Sequence, residues 1–336
     1  MKNSYLYILL LFFSISVLGQ NREMKNFKIV SYNVENYFDV VDDSLTSDEE
    51  YLPTGIRAWN NSKYTTKQTN IAKVLAAIGG WESPAIVGLC EIESEKSMRD
   101  LTLYSPLKGL GYKYIHHESP DARGVDVALM YQPHQFKPYW NEIIRIPTFK
   151  TRDMLYVAGR MPNEDTLHVF VCHFPSRLGG ELESEDRRVT VAEKLRLKVD
   201  SLFQTSENPN IIIMGDFNDY PSNSSIVEVL KAMPPSDNIQ PKNLYNLAHL
   251  LQEKGKGSHK FQGEWGMLDQ MIVSGQLLNP LSSISTTPND MQVFEADFLL
   301  ENDEAFLGKK PFRTYNGMTY QGGYADHLPV VLNLWY

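Results

Sequence analysis

The sequence predicts a layered fold of the α/β or α+β class, with β-sheets inside and helices outside. Nine short segments are rich in apolar, β-branched and aromatic residues and are separated by polar loops that contain Gly and Pro, a pattern typical of buried strands. Longer segments instead carry apolar residues at helical spacing. Because connections of hairpin length and of helix length both occur, the chain is expected to form layers of sheet and helix.

The nine predicted strands follow one another along the chain with no internal repeat. They are FKIVSYN (27–33), AIVGLCEIE (85–93), YKYIHHE (112–118), DVALMYQ (126–132), LYVAGRM (155–161), LHVFVCHF (167–174), NIIIMGDF (210–217), DQMIVS (269–274) and PVVLNL (329–334).

Helices are predicted between some of these strands. Segment 67–78 has an apolar face and is followed by Gly79, a residue typical of helix C-termini. Segment 184–203 places an apolar stripe opposite a charged face, and a third, shorter helix is predicted near 224–233. The long polar segment 282–312 lacks a regular pattern and is expected to form an ordered excursion or a lid.

Charge and composition restrict the class of protein. The apolar content of 42% and the charged content of 22% are those of an ordinary globular chain. The net charge of −9 and the absence of a basic tail count against a non-specific nucleic-acid coat protein. They do not exclude an enzyme that binds phosphates through a divalent cation, because the cation reverses the local charge.

The first 19 residues read as a secretory signal peptide. Lys2 precedes an apolar run at 5–13, and small residues precede a cleavage site before Gln20. We therefore expect export to the periplasm or secretion, with a single domain over 25–336 and no membrane span after cleavage. An uncleaved anchor is the alternative, although the apolar run is short for a span.

The chain has two cysteines, Cys90 and Cys172. Each precedes a polar residue at a strand end, so alternation along the strands turns the two thiols away from their polar neighbours. We expect two buried free thiols, with a single disulfide bridge as the alternative.

Polar side chains stand at the ends of the predicted strands. In the stretch IIIMGDFNDY, Asp216 and Asn218 follow a buried strand directly, which indicates either a turn or a site held by a rigid element. The other strand ends carry Asn33, Glu91, Arg123, Asp126, His173, Ser176, Arg177, Asp269, Asp326 and His327.

These residue types form a chemical set. Carboxylates and an amide suit Mg²⁺, while two histidines and further carboxylates suit proton movement. No zinc-type Cys/His spacing, Gly-rich phosphate loop or G-x-S-x-G turn occurs in the sequence. The set therefore predicts metal-assisted hydrolysis of a phosphate ester.

The series SYNVEN, LCEIE, RGVDVALMY, HFPSR, GDFND, LDQMIVS and ADHLPV resembles the endonuclease/exonuclease/phosphatase family, in order and spacing from Ser31 to Val331. The resemblance implies a four-layer α/β sandwich, in which two central mixed β-sheets pack face to face with helices outside. It also implies a metal site made by Asn33, Glu91 and Asp326, which would take Mg²⁺, with Mn²⁺ or Ca²⁺ as alternatives.

The resemblance implies catalytic roles as well. Asp216 would orient or deprotonate the attacking water, and Asn218 would bind the phosphate. His327, oriented by Asp269, would act as a general base or phosphate ligand. His173 would contact the scissile phosphate or protonate the leaving oxygen.

Six further residues near these strand ends have less direct interpretations. Arg123 either clamps a phosphate or forms a surface ion pair, and Asp126 either supports the site or only ends a buried strand. Ser176 and Arg177 follow His173 closely, so we expect them to bind the substrate. Arg313 and Tyr315 are expected either to line the site or only to pack against neighbouring protein residues.

The substrate is expected to be nucleic acid or another phosphodiester, and no stable protein partner is indicated. An exported nuclease is the first hypothesis, because HFPSR resembles the histidine loop of type I deoxyribonucleases. A phosphatase or a sphingomyelinase-like lipid phosphodiesterase is the alternative. The latter would show an aromatic membrane-docking hairpin, for which only segment 282–312 offers room. A catalytically silent binding protein is a third hypothesis, disfavoured because the motif residues are all present.

Overall fold

The computed structural model describes residues 24–336, so the predicted signal peptide at 1–19 lies outside the described residues. Two large mixed sheets pack face to face and form the centre of the molecule. Within residues 24–336, none of the helices combines the length and the apolar composition needed to cross a membrane.

The strands in chain order are β1 (Asn26–Tyr37), β2 (Ile86–Ile92), β3 (Lys113–His116), β4 (Asp126–Tyr131), β5 (Lys137–Ile144), β6 (Met154–Arg160), β7 (Thr166–His173), β8 (Asn210–Asp216), β9 (Ala232–Met233), β10 (Leu244–Asn246), β11 (His259–Phe261), β12 (Glu264–Gly266), β13 (Asp269–Ser274), β14 (Met291–Val293), β15 (Leu300–Asn302), β16 (Lys309–Pro311), β17 (Tyr315–Asn316), β18 (Thr319–Tyr320) and β19 (Val330–Trp335). The α-helices are α1 (Asn61–Gly79), α2 (Glu95–Leu103), α3 (Glu181–Thr205) and α4 (Ala248–Glu253). Short 3₁₀ turns cover Glu49–Tyr51, Pro106–Leu110, Gly275–Leu278, Pro288–Asp290 and Asp297–Leu299, and a π-helical turn covers Ser225–Val229.

The first sheet has the strand order β14-β19-β1-β2-β4-β3, and the second has the order β5-β6-β7-β8-β13-β10-β9. Alternation along each strand sends neighbouring side chains to opposite faces. In β1, Ile29 enters the core between the sheets, while Val30 packs under α1 with Leu75. In β8, Met214 enters the same central core, while Ile213 packs under α3. The layers are therefore helix, sheet, sheet and helix, which confirms the predicted four-layer sandwich.

All nine predicted strands are present, with ends that shift by a few residues. Helix α1 begins at Asn61, six positions before the predicted start at 67, because the Asn60 side chain accepts a hydrogen bond from the backbone N–H of Lys63 and caps the helix there. The predicted third helix at 224–233 is only the π-helical turn followed by β9. Segment 282–312 is ordered: β14 joins the edge of the first sheet, and β15 and β16 form a hairpin.

The two cysteines occupy different layers. Cys90 packs in the core between the sheets, whereas Cys172 packs on the outer face of the second sheet, under α3. Both are buried and free, so the prediction of two buried free thiols is confirmed.

Strand register brings the predicted site residues to one edge of the sandwich. Parallel pairing of β7 with β8 places His173 beside Asp216, and antiparallel pairing of β13 with β8 places Asp269 beside the same Asp216. In the first sheet, Asn33 of β1 pairs with Cys90, the residue before Glu91. A register shift in each strand follows these positions, so β1 and β2 are both irregular at the site before their pairing resumes at Tyr37 and Ile92.

Candidate active site

Asp216 lies at the centre of the site and is only 2% exposed. Its Oδ2 accepts a hydrogen bond from the side-chain amide of Asn33 at 3.1 Å, and its Oδ1 accepts one from the backbone N–H of Asn218 at 2.8 Å. The Nε2 atoms of His173 and His327 lie 3.6 Å and 3.8 Å from Oδ2. Four other predicted residues therefore meet around one carboxylate, and three of them come from other motifs.

The backbone before Asp216 requires glycine. Gly215 has φ +144°, and a Cβ there would lie 1.8 Å from the carbonyl oxygen of Cys172 on the neighbouring strand. Only a residue without Cβ permits this close approach of β7 and β8. Beyond Asp216, Asn218 adopts a left-handed conformation at φ 49°, and its side-chain amide donates to the carbonyl of Phe174 at 3.0 Å.

His327 is oriented by a buried carboxylate. Its Nδ1 donates to Oδ2 of Asp269 at 2.6 Å, and Asp269 is fully buried. Burial by itself lowers the pKa of His327, but the charges of Asp269 and Asp216 together outweigh it and raise the pKa well above the ordinary value. The imidazole is therefore a cationic hydrogen-bond donor at neutral pH, with Nε2 facing Asp216.

The pKa values of Asp216 and His173 shift in opposite directions. Burial raises the pKa of Asp216 to about 7, with the positive charge of His327 opposing the shift. Burial, helped by the charges of Arg152 and Arg123, lowers the pKa of His173 well below its usual range. His173 is thus neutral at the pH where Asp216 titrates. The pKa of Asp216 lies close to neutral pH, which is where a general base is most effective.

Glu91 offers a free carboxylate oxygen to a cation. It adopts a left-handed conformation at φ 65°, and its Oε2 accepts the backbone N–H of Asn36 at 2.8 Å. Its Oε1 accepts no hydrogen bond from the described residues 24–336. The nearest cationic or imidazole nitrogens, Arg123 Nη2 and His173 Nε2, each lie 3.9 Å from it. A partly exposed oxygen ligand of this kind fits a hard cation such as Mg²⁺.

The other two predicted metal ligands are more engaged. The side-chain NH₂ of Asn33 donates to Asp216, and Asn33 Oδ1 accepts a hydrogen bond from the backbone N–H of Glu35 at 3.0 Å. Asp326 Oδ2 accepts from Arg313 at 2.8 Å. Asp326 also lies with His259 and His327 in a group whose ligand atoms are within 4.8 Å of one another. Of the three predicted ligands, Glu91 is therefore the least encumbered, while Asp326 groups with His259 and His327.

Comparison with known proteins identifies the fold family. The family model described as "Endonuclease/Exonuclease/phosphatase family" matches residues 28–335. The chain belongs to this family. The resemblance predicted from the motifs is therefore confirmed, and no curated protein sequence matches the chain.

Solved structures show the same endonuclease/exonuclease/phosphatase fold at low identity. A humanized TDP2 of D. rerio that carries 14 mutations is 14% identical, with a TM-score of 0.57 and coverage of 92% of this chain and 98% of that one. A mannosyl-6-phosphatase of Bacteroides thetaiotaomicron is 15% identical, with a TM-score of 0.57 and coverage of 92% and 100%. Another family member from the same organism is 15% identical, with a TM-score of 0.55 and coverage of 94% and 99%.

His259 belongs to the site but carries no sequence signal of the family. It forms an isolated β-bridge with His327, and the two imidazole rings are 4.7 Å apart. Burial, helped by the charge of His327, lowers the pKa of His259 to about 4, so the ring is neutral. Its place depends on a contact between segments 68 positions apart, which local pattern does not reveal.

The predicted substrate-binding residues separate into two kinds. Arg123 is 47% exposed in its side chain and lies at the rim beside Glu91. Ser176 is exposed after the end of β7. Arg177 instead contacts protein: Nε donates to the carbonyl of Asn218 at 2.7 Å, and Nη2 donates to Asn223 at 3.1 Å. The geometry makes Arg177 a support for the Asp216–Asn218 turn.

Two further residues support the loops at the rim. Asp126 accepts from the backbone N–H of Ser119 at 2.9 Å and contacts His116 at 3.2 Å, so it fixes the loop that carries Arg123. Arg152, which the sequence did not indicate, is 7% exposed and donates to the carbonyl of Phe174 at 2.9 Å. It thereby fixes the chain directly after His173.

Proposed function

We propose that this chain is a metal-dependent hydrolase of phosphodiester bonds, exported from the cell. The observation that carries the proposal is the arrangement around Asp216 Oδ2, where Asn33, His173 and His327 approach at 3.1, 3.6 and 3.8 Å. A carboxylate that titrates near neutral pH, flanked by one neutral and one cationic imidazole, suits attack of water on a phosphate.

Each residue has a role in this proposal. Asp216 orients the attacking water and accepts its proton, while Asn218 and His327 donate hydrogen bonds to phosphoryl oxygens. His173 contacts the leaving oxygen. Glu91, with Asn33 and Asp326, would hold Mg²⁺, or Mn²⁺ or Ca²⁺ as alternatives, and the cation when bound withdraws charge from the phosphoryl group.

Nucleic acid is the first substrate we propose. Support comes from the HFPSR motif, since His173 is brought to Asp216, and from the exposed positions of Arg123 and Ser176 at the rim. Structural neighbours include a TDP2 complexed with a single-strand DNA product, but at 13% identity this likeness shows the fold alone.

A substrate panel tests the proposal. Residues 20–336 would be incubated with Mg²⁺ and with supercoiled plasmid, single-stranded RNA, bis(p-nitrophenyl) phosphate or p-nitrophenyl phosphate. Nicking of the plasmid, with turnover of the diester far above that of the monoester, is the expected result. Turnover of the monoester alone would contradict the diester assignment and favour a phosphatase.

A lipid phosphodiesterase is the second candidate, because the structure contains an apolar surface at two hairpin tips. Phe306 and Leu307, in the β15–β16 turn, are 53% and 82% exposed, and Phe261 at the β11–β12 turn is 66% exposed. The hairpins are joined by the buried ion pair of Lys260 with Asp303, at 2.8 Å. Strand β11 begins at His259, so this apolar surface belongs to the same hairpin as a site residue.

Vesicle binding separates the two candidates. A lipid phosphodiesterase would float with phosphatidylcholine–sphingomyelin vesicles and cleave the lipid headgroup, and Phe306→Ser with Leu307→Ser would abolish both. Leu281→Ser is the matched control, because Leu281 is 92% exposed outside these hairpins. Cleavage of plasmid without vesicle binding would exclude this candidate.

A further inference from the structure

Arg313 is the second half-exposed guanidinium of the site, after Arg123. Its Nε donates to Glu35 Oε1 at 3.2 Å and its Nη2 donates to Asp326 Oδ2 at 2.8 Å, while the side chain is 40% exposed. Within the described residues 24–336, Nη1 of Arg313 donates no hydrogen bond. The guanidinium is therefore held along one edge and open along another.

Glu35 fixes the direction of this guanidinium. It is 3% exposed and adopts a left-handed conformation at φ 55°, which is uncommon for a residue with a long side chain. While Oε1 binds Arg313, Oε2 accepts the backbone N–H of the next residue, Thr314, at 2.7 Å. One carboxylate thus holds both the side chain of Arg313 and the backbone that follows it.

Lys67 supports Glu35 from helix α1. Its side chain is fully buried, and Nζ lies 3.9 Å from Glu35 Oε2 while donating to Thr314 Oγ1 at 2.6 Å and to the carbonyl of Tyr324. A buried ammonium is costly unless it is paired and hydrogen-bonded. Alternating charges therefore connect α1 to the site, in the order Lys67, Glu35, Arg313 and Asp326.

The other arginines near the site lack this combination of orientation and exposure. Arg152 is buried and Arg177 has its donors on Asn218 and Asn223. Arg123 is exposed, but its side chain lies 3.9 Å from the nearest carboxylate oxygens and so is not fixed by a short hydrogen bond. A guanidinium fixed along one edge and open along another is suited to bind phosphate or carboxylate oxygens.

We propose that Arg313 binds an anionic oxygen of the substrate, and that Glu35 and Lys67 are positioning residues that hold it in place. This inference rests on the proposed function in one respect, that the anion is the phosphoryl group of an ester. Arg313 then adds to the negative-charge binding that Asn218, His327 and the cation provide.

Binding of inorganic phosphate tests the inference without turnover. Calorimetric titration of phosphate into the Mg²⁺-loaded protein (residues 20–336) is expected to show an affinity about tenfold weaker or more in Arg313→Met. Arg313→Lys, which keeps the charge but loses the planar donor geometry, is expected to fall in between. Glu35→Gln is expected to weaken phosphate binding and to raise KM for bis(p-nitrophenyl) phosphate more than it lowers kcat. Arg160→Met is the matched control, since Arg160 is an exposed arginine at the C-terminal end of β6 and is not among the site residues.

The contrary result is equally specific. If Arg313 only holds Asp326 in place, Arg313→Met and Arg313→Lys will lower kcat and leave phosphate affinity and KM unchanged, which would overturn the inference while leaving the proposed function intact. A protein that hydrolyses no phosphate ester but binds phosphate through Arg313 would refute the proposed function alone. Arg313→Lys also keeps the test valid if Arg313→Met does not fold.

Discussion

The Nδ1 atom of His327 lies 2.6 Å from Oδ2 of Asp269, although 58 positions separate the two residues in the chain. The pair joins the start of β13 in one sheet to the segment just before β19 in the other. Its buried carboxylate fixes the imidazole so that Nε2 faces Asp216. An aspartate of the second sheet thus orients a histidine that lies just before a strand of the first sheet.

Asp269→Asn is expected to keep the shape of this pair and lose its charge. The pKa of His327 would fall and Nδ1 could lose its acceptor, so kcat/KM should drop roughly 10²-fold or more. Because the two side chains act as a unit, adding His327→Asn should lower kcat/KM little further. Losses that multiply in the double variant would show that the residues act independently.

Gly215→Ala is expected to disturb the site through the backbone. The new Cβ would be placed 1.8 Å from Cys172 O at φ +144°, so the free energy of unfolding should fall by about 3 kcal/mol or more. Gly111→Ala is the matched control, because Gly111 has the left-handed φ of +71° with nothing within 4 Å of the added Cβ, and should cost about 1 kcal/mol. Equal losses in urea unfolding would contradict the close approach of β7 and β8.

Arg177→Met is expected to lower kcat roughly tenfold or more, with little change in KM. The reason is that Arg177 donates to Asn218 O and Asn223 Oδ1, so its loss loosens the turn that follows Asp216. Steady-state kinetics on bis(p-nitrophenyl) phosphate distinguish this from substrate binding. A rise in KM at unchanged kcat would restore the sequence-based interpretation of Arg177 as a substrate-binding residue.

Glu93→Gln is expected to change how stability depends on pH. Burial raises the pKa of Glu93 to about 8 from 4.5, so the folded state holds a proton that the unfolded state releases between these values. Stability of the wild type should therefore fall as pH rises from about 5 to 8, and the glutamine variant should gain relative to it by at least about 1 kcal/mol at pH 8.5.

Urea unfolding at pH 5 and pH 8.5 checks this expectation. Glu207→Gln serves as control, since Glu207 is exposed in the loop after α3. A Glu93→Gln variant that tracks the wild type at both pH values would mean that Glu93 is ionised in the folded protein across this range.

The elements that the sequence predicts well are those with local signals. Buried strands such as β8 and β13 are short apolar runs, and β8 ends in Asp216 while β13 begins with Asp269. The sequence therefore predicts both the strands and the site residues at their ends. Strand β5 (Lys137–Ile144) was missed because it is an exposed edge strand with a Pro and mixed polarity. Helix α2 (Glu95–Leu103) was missed because it is short and mostly polar.

The site residues that the sequence missed depend on long-range contacts. His259 reaches the site through a β-bridge to His327, and Glu35 through bonds to Arg313, 278 positions away. Conversely, Arg177 lies in a motif that suggests substrate binding, but the turn after Asp216 takes up its donors. A motif places a residue near the site, whereas its partners in the fold decide what it contacts.

The most direct test of metal-dependent diester hydrolysis at Asp216 uses bis(p-nitrophenyl) phosphate and residues 20–336, with Mg²⁺ and with chelator. The proteins compared are the wild type, Asp216→Ala, His327→Ala and the control His134→Ala, since His134 is exposed in the turn between β4 and β5. We expect turnover that requires the cation, disappears in both site variants and persists in the control. Turnover that survives chelation or the loss of Asp216 would contradict this expectation.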